Sequence, residues 1–455
     1  MLPPPLIPSQ LGVGSIGALL AFHLRQQLQP AAAHPIALLL RARGIPRSDK
    51  ESRRKDRGNA ARAQGEAGPV LSVETGGVVR RATGFEAEIV GPGIDRALAA
   101  FHRARQFEGP EGARKASIAA AKLDSPYTPT TPIDSLIVAL KTHQTLPALR
   151  QLAPRIRPDS CITLIQNGMG IYDELCEDLW PDPATRPQFV LGSTTHGAAR
   201  IRTTRPLHAR SGGGVEFERK VIHTGHGGLV FGVVPHPRGE VDYDARLFPD
   251  GAHAASNPLP SLSATPTTAP TPLEYTLAAL LSLHPLNPSL IPTPEMYNTL
   301  LLKLSTNCAV NPLTALLGVQ NGALIGPKAT ESMIRAVLGE ASEAITRYLA
   351  SLREGDALEP ETRAMFSPAA LERRTMAVLA ATARNTSSMA SDVSRLTRDG
   401  GAEGGTEIEY INGFLVRLGE RMGVPMPVNR MLAEMVAAKE EIARISPGLL
   451  LPVRR

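Results

Sequence analysis

Apolar residues in the first half of the chain come in short compact runs: Ile36–Leu40 (IALLL), Ser135–Leu140 (SLIVAL), Ile162–Ile165 (ITLI) and Phe189–Gly192 (FVLG). Runs of this length, with helical stretches such as Leu146–Leu152 between them, predict strands of a mostly parallel sheet with helices on both faces. Val221–Val234 (VIHTGHGGLVFGVV) reads as a hairpin near the end of that domain. From about residue 294 the spacing turns helical. Ser332–Leu352, Pro368–Arg384, Glu407–Met422 and Asn429–Arg444 carry apolar residues at helical intervals, and Gly423 with Pro425 ends one of them. The pattern gives an α/β domain over residues 1–293 and an all-α domain over 294–447.

Three segments interrupt this pattern and read as mobile insertions. One lies near 43–68, one spans Gly251–Pro272 and is rich in Pro, Ser, Thr and Ala, and one is Thr397–Gly405. The first changes how the net charge of +6 is read. Between Arg43 and Arg62 stand eight Lys/Arg against Asp49, Glu51 and Asp56, with no aromatic to stack on a base. The excess charge belongs to a solvated loop, and no nucleic-acid partner is expected.

Three cysteines, Cys161, Cys176 and Cys308, form neither a CxxC pair nor an even framework, which speaks against disulfides and a cysteine zinc site. No metal is expected. No run of about 20 apolar residues is present to cross a membrane. The segment MLPPPLIPSQ lacks the features of a signal or transit peptide. A cytoplasmic protein is the default expectation, with the mitochondrial matrix left open.

Chemistry enters at two places. Gly12, Gly14 and Gly17 spell G-x-G-x-x-G ahead of a helical stretch, and IALLL follows one helix later. Such glycines make a tight turn, admit a pyrophosphate to the backbone, and let helix and strand pack closely. Arg41 stands where an NAD site usually places an acid, and an arginine there suits a ribose 2′-phosphate. The cofactor expected is therefore NADP(H). The stretch before Gly12 is poor in strand residues, because Pro8 offers no ladder donor. Either the first strand is short and ragged, or the natural N-terminus differs.

The second place is LLKLSTNCAVNPLTALLGVQNG at 301–322. Lys303, Asn307 and Asn311 fall four residues apart, on one slowly rotating helical face among leucines. Polar groups in such company need partners, and a lysine there has a pKa open to its surroundings. The stripe admits two readings, a set of surface and capping residues or a site. Pro312 pushes Asn311 away from helical geometry and predicts a kink.

Taken in order, GVGSIG, ALLLR, VALKTHQ, QNGMG, STTHGA, the 303–322 motif, SSM with Asp392, TEIEYINGF and VPMPVNRML resemble the ketopantoate reductase (2-dehydropantoate 2-reductase) family. The resemblance implies a Rossmann-type domain followed by a helical domain. It further implies NADPH-dependent reduction of the C2 ketone of 2-dehydropantoate to pantoate, on the way to pantothenate and coenzyme A. By the same resemblance Lys303 is the general acid, and Glu407 holds the substrate or Lys303. Asn167, Asn307, Asn311, Asn321 and Ser388 would bind substrate. Gly12, Gly14, Ser15, Gly17, Arg41, Lys141, Asn167 and Glu407 would bind cofactor. For several of these, structural roles stay open: a turn at Asn167, a solvated strand end at Lys141, and helix-start roles at Ser388 and Glu407. The partner expected is a small 2-oxo acid, with a homodimer left open. Two alternatives remain, a reductase of another branched 2-oxo acid and a non-catalytic NADP(H)-binding relative with a defective first strand.

Overall fold

The computed structural model describes residues 8–29, 31, 34–41, 69–90, 132–201, 208–209, 215–216, 218–249, 270–353, 358–398 and 404–445. The chain forms two compact units, divided at Met296/Tyr297 rather than at residue 293. The second unit also takes Lys141–His143 and Asn167–Asp173 from the first half of the sequence.

The apolar runs of the first half do form strands. The main sheet has eight, in the order Pro288–Leu290, Leu229–Val233, Gln188–Thr194, Ile156–Leu164, Ile133–Val138, Pro8–Leu11, Ile36–Arg41 and Phe85–Val90. Every pairing in it is parallel except that of Leu229–Val233 with Gln188–Thr194. Helix Ser15–Gln27 buries Leu19, Leu20, Phe22 and Leu24 in a core shared with Leu38, Ile137, Val190 and Phe231. The suspect first strand exists. It is four residues long, yet it is paired on both sides, in register with Ala37–Leu39 and with Ser135–Val138. Pro8 sits at its first position, where a missing N–H does least harm.

Val221–Val234 is not a hairpin. Its first strand, Glu218–Gly225, pairs with Val70–Thr75 and Gly197–Arg200 in a separate four-stranded sheet, while Leu229–Val233 joins the main sheet. The strands part at His226–Gly228, where Gly227 lies against Thr195: a Cβ there would come within 2.5 Å of its side chain. The insertion expected to run to Pro272 stops earlier. Thr271 and Glu274 form a reciprocal capping box, and Pro272 opens helix Pro272–Leu281. The 43–68 insertion lies outside the described residues, as does most of Gly251–Pro272. Residues 399–403 of the third are likewise outside.

The second unit is helical. It comprises most of helix Thr293–Leu317, then Lys328–Ser351, Pro360–Met365, Pro368–Ala381, Ser388–Arg398, Asn412–Met422 and Pro427–Ile445. Leu301, Leu304, Val310 and Leu313 are buried against Ile334, Val337, Leu338, Leu415 and Val436. Leu317 instead is half exposed. Helix Thr293–Leu317 is long and apolar enough to cross a bilayer, but 67% of that stretch is buried within the protein, as a core helix requires. Gly423 closes helix Asn412–Met422 in a left-handed conformation, as expected. Cys161, Cys176 and Cys308 are all buried.

Candidate active site

Each unit carries part of the expected chemistry. In the first, strand Pro8–Leu11 runs into Gly12, which has φ +93° and whose absent Cβ would lie 2.8 Å from the backbone of Ala139 and Leu140. Only glycine fits there. Gly14 caps helix Ser15–Gln27 without a side-chain hydrogen bond, and a Cβ at Gly14 would meet nothing within 4 Å. Gly17 is buried in the first turn, and that turn contains no acid. Ser15 is the first helical residue and partly accessible. Open space before a helix N-terminus, with no acid to repel an anion, fits a dinucleotide pyrophosphate. Arg41 ends strand Ile36–Arg41 next to this turn's own strand. Its side chain lies outside the described residues.

In the second unit the charged residues converge. Lys141 Nζ lies 3.1 Å from Glu407 Oε2 and 2.7 Å from Asp392 Oδ2. Glu407 Oε1 accepts from the Thr142 backbone N–H at 3.2 Å and lies 3.0 Å from the Thr142 hydroxyl. Asn167 Nδ2 donates to Glu407 Oε2 at 3.3 Å. Arg395 pairs with Asp392 from one turn along the same helix. Glu407 does not open an α-helix, contrary to the expected helix start there, and helix Asn412–Met422 begins five residues later. Glu407 precedes a three-residue 3-10 turn, Ile408–Tyr410, and is only 3% exposed.

The QNGMG segment is fitted to that turn. Met169 N–H donates to Tyr410 O at 2.8 Å, and a Cβ at Gly168, where φ is +85°, would fall 2.3 Å from the same oxygen. Gly168 thus lets the loop lie flat on the Glu407 turn and aims Asn167 at the carboxylate. Asn167 is a turn residue and a ligand of Glu407 at once.

Burial sets the charges against one another. It would raise the Glu407 pKa, but Lys141 with the Asn167 and Thr142 hydrogen bonds outweighs it and holds this carboxyl below its usual range. Asp392 goes the other way, because burial outweighs the pull of Lys141 and Arg395 and the Glu407 charge adds to the rise. Glu407 has the richer set of donors and is the more firmly ionised of the two. Burial would also lower Lys141, yet the two carboxylates hold it above the ordinary lysine range. Lys303 differs from Lys141. Burial pulls it down to about 8, only partly countered by Glu407.

Lys303, Asn307 and Asn311 occupy one stripe of helix Thr293–Leu317, with Asn311 buried and the other two partly accessible. The helix assigned to Thr293–Leu317 is continuous through Asn311 and Pro312. A substitute donor is present at the proline. Pro312 leaves the Cys308 carbonyl without its intrahelical N–H, and Asn412 Nδ2 donates to that oxygen at 2.9 Å.

Ser388 is the first residue of helix Ser388–Arg398, and capping falls to Ser387, whose Oγ accepts from Ala390 N–H at 3.1 Å. Ser387 also meets Thr314 of the Lys303 helix at 2.7 Å. Asn321 is drawn elsewhere: its Nδ2 donates to Thr382 Oγ1 at 2.9 Å and its Oδ1 is buried without a partner. Asp392 and Thr142 carry as much of the cluster as the residues expected there. Asp392 follows SSM within the motif, but nothing in its spacing announces that it meets Lys141.

Comparison with known proteins decides the family. A family model described as "Ketopantoate reductase PanE/ApbA" matches residues 95–236, and one described as "Ketopantoate reductase PanE/ApbA C terminal" matches 295–440. The chain belongs to the ketopantoate reductase family. Among curated relatives, the 2-dehydropantoate 2-reductase of Vibrio cholerae is 27% identical over 68% of this chain and 78% of its own. The Escherichia coli O157:H7 enzyme of the same name is 29% identical over 70% of this chain and 78% of its own. Among solved structures, a probable 2-dehydropantoate 2-reductase from Bacillus subtilis aligns with a TM-score of 0.52 at 21% identity. That alignment covers 95% of this chain and all of the other. A D-mandelate dehydrogenase solved with NADH and anilino(oxo)acetate reaches a TM-score of 0.54 at 16% identity, covering 97% of this chain and all of its own. At these identities the structural likenesses speak for the fold.

Proposed function

We propose that the protein reduces the C2 ketone of 2-dehydropantoate to pantoate with NADPH. The observation that carries this reading is Lys303, a lysine drawn down to about 8 on a stripe it shares with two asparagines, under the influence of an ionised Glu407. Bound NADPH would supply the hydride that adds to C2. As it arrives, negative charge builds on the ketone oxygen, and the Lys303 ammonium both stabilises that charge and gives up the proton that completes the alcohol. Neutral Lys303 then regains a proton from water. A pKa near 8 suits this work, since the ammonium predominates at neutral pH while the proton is more easily released than from an ordinary lysine.

Asn307 and Asn311 would hold the substrate's oxygens, and the Ser388 hydroxyl would meet its carboxylate. Glu407, fixed by Lys141, Thr142 and Asn167, would keep Lys303 protonated between turnovers. Gly12, Gly14, Ser15 and Gly17 would receive the pyrophosphate, and Arg41 a 2′-phosphate.

The test is loss of NADPH absorbance on adding 2-dehydropantoate, repeated with NADH and with other branched 2-oxo acids. A kcat/KM highest for 2-dehydropantoate with NADPH is expected. Preference for another acid, or for NADH, overturns the corresponding half of the reading.

A further inference from the structure

Pro312 stands in the helix that carries Lys303, one residue after Asn311 and five after Asn307. A proline inside a helix removes one N–H and crowds the carbonyl four residues earlier, here that of Cys308. This carbonyl lies between the two asparagines. Asn412 fills the gap, with one Nδ2 hydrogen going to Cys308 O at 2.9 Å and the other to Asn429 Oδ1 at 3.0 Å. Asn412 and Asn429 are both completely buried.

Asn429 is held in turn. Its Nδ2 donates to Val337 O at 3.2 Å and to Glu340 Oε2 at 2.8 Å, while Glu340 also accepts the backbone N–H groups of Val428 and Asn429. The relay has a direction, since every amide hydrogen along it points toward an oxygen. Reversing the Asn412 amide would set its oxygen against the Cys308 carbonyl. Asn412 Oδ1, meanwhile, is buried without a partner, a cost accepted only where the two donors matter more.

From this geometry we infer that Asn412 is a positioning residue for the substrate. It supplies the donor that Pro312 lacks and so holds Lys303, Asn307 and Asn311 on one helical stripe. The inference rests on the reading of Lys303, Asn307 and Asn311 given above. It assigns Asn412 and Asn429 a task that the core packing of their neighbours does not require.

A cycle of Asn412→Ala, Pro312→Ala and the double variant tests it. Alanine in place of Pro312 restores an N–H that can bond Cys308 O directly. Asn412→Ala should raise KM for 2-dehydropantoate about tenfold or more, lower kcat by less, and leave NADPH affinity unchanged. Pro312→Ala should stay near wild type, and the double variant should recover most of the lost KM. An unchanged KM in Asn412→Ala, or a double variant as impaired as the single one, overturns the inference. Should Asn412→Ala be recovered unfolded, the double variant decides: regained folding and KM support the pairing, and continued failure overturns it. A wild-type protein inert toward 2-dehydropantoate would remove the functional reading by itself. The pairing is then read from unfolding midpoints. Asn412→Ala must destabilise the wild-type protein more than it destabilises the Pro312→Ala variant, and equal destabilisation refutes it.

Discussion

The glycine turn at Gly12–Gly17 and the cluster around Glu407 solve opposite problems. At the turn, side chains are taken away: one Cβ would strike the backbone of Ala139 and Leu140, and another position faces open space. Around Glu407, side chains are crowded in, and one buried carboxylate collects Lys141, Thr142 and Asn167. A site made of backbone is set by local geometry and advertises itself as a glycine pattern. A site made of side chains is set by long-range folding, and separated segments of the chain must arrive together. The first is easy to find and general; the second is hard to find and specific.

The sharpest way to break this contrast is Lys303→Ala. Loss of the proposed acid should lower kcat by about 10²–10⁴-fold, with NADPH binding by fluorescence unchanged. Turnover at the wild-type rate would remove Lys303 from the mechanism. Next in size is Glu407→Gln. Removing one buried partner of an ion pair costs about 3–5 kcal/mol, and here Asp392 remains to neutralise Lys141, so about 3 kcal/mol is expected in denaturant unfolding. Asp392→Asn should cost less, because burial already pushes that carboxyl toward its neutral form. The opposite order would show that Asp392, not Glu407, anchors the cluster.

On the other side of the comparison, Gly12→Ala places a side chain at φ +93° against backbone. About 1–3 kcal/mol of strain should appear as weaker NADPH binding, with Lys303-dependent chemistry otherwise intact. Unchanged affinity would mean that the turn does not contact the cofactor. The smallest effect is the pH profile. In the proposed mechanism reduction needs the Lys303 ammonium, whose pKa is drawn down to about 8, so kcat/KM should level off below that value and fall about tenfold per unit above it. Glu407 raises the Lys303 pKa, so Glu407→Gln should move the falling limb to lower pH. A limb that does not move would uncouple the two groups.

Much of this was legible in the sequence. Compact apolar runs gave the strands of the main sheet, and helical spacing gave the second unit, because both depend on local periodicity. The motif order carried Lys303 and Glu407. Three things were not legible. The sheet containing Val70–Thr75 was missed although Thr75-Gly76-Gly77 signals its turn, and Val221–Val234 was misread because apolar runs do not say which sheet they join. The donor that the Cys308 carbonyl receives in place of a Pro312 N–H comes from Asn412, about a hundred residues away in sequence. Asp392 meets Lys141 only through tertiary folding, so no spacing rule could reveal it.

The second unit borrows Lys141–His143 and Asn167–Asp173 from the first half of the chain. A fragment beginning at Tyr297 would therefore keep Asp392 with Arg395 but leave the buried Glu407 without Lys141, Thr142 and Asn167. The helical half of this protein is thus not a portable module. Any rearrangement that moved it to another gene would carry away Glu407 and leave Lys141 behind.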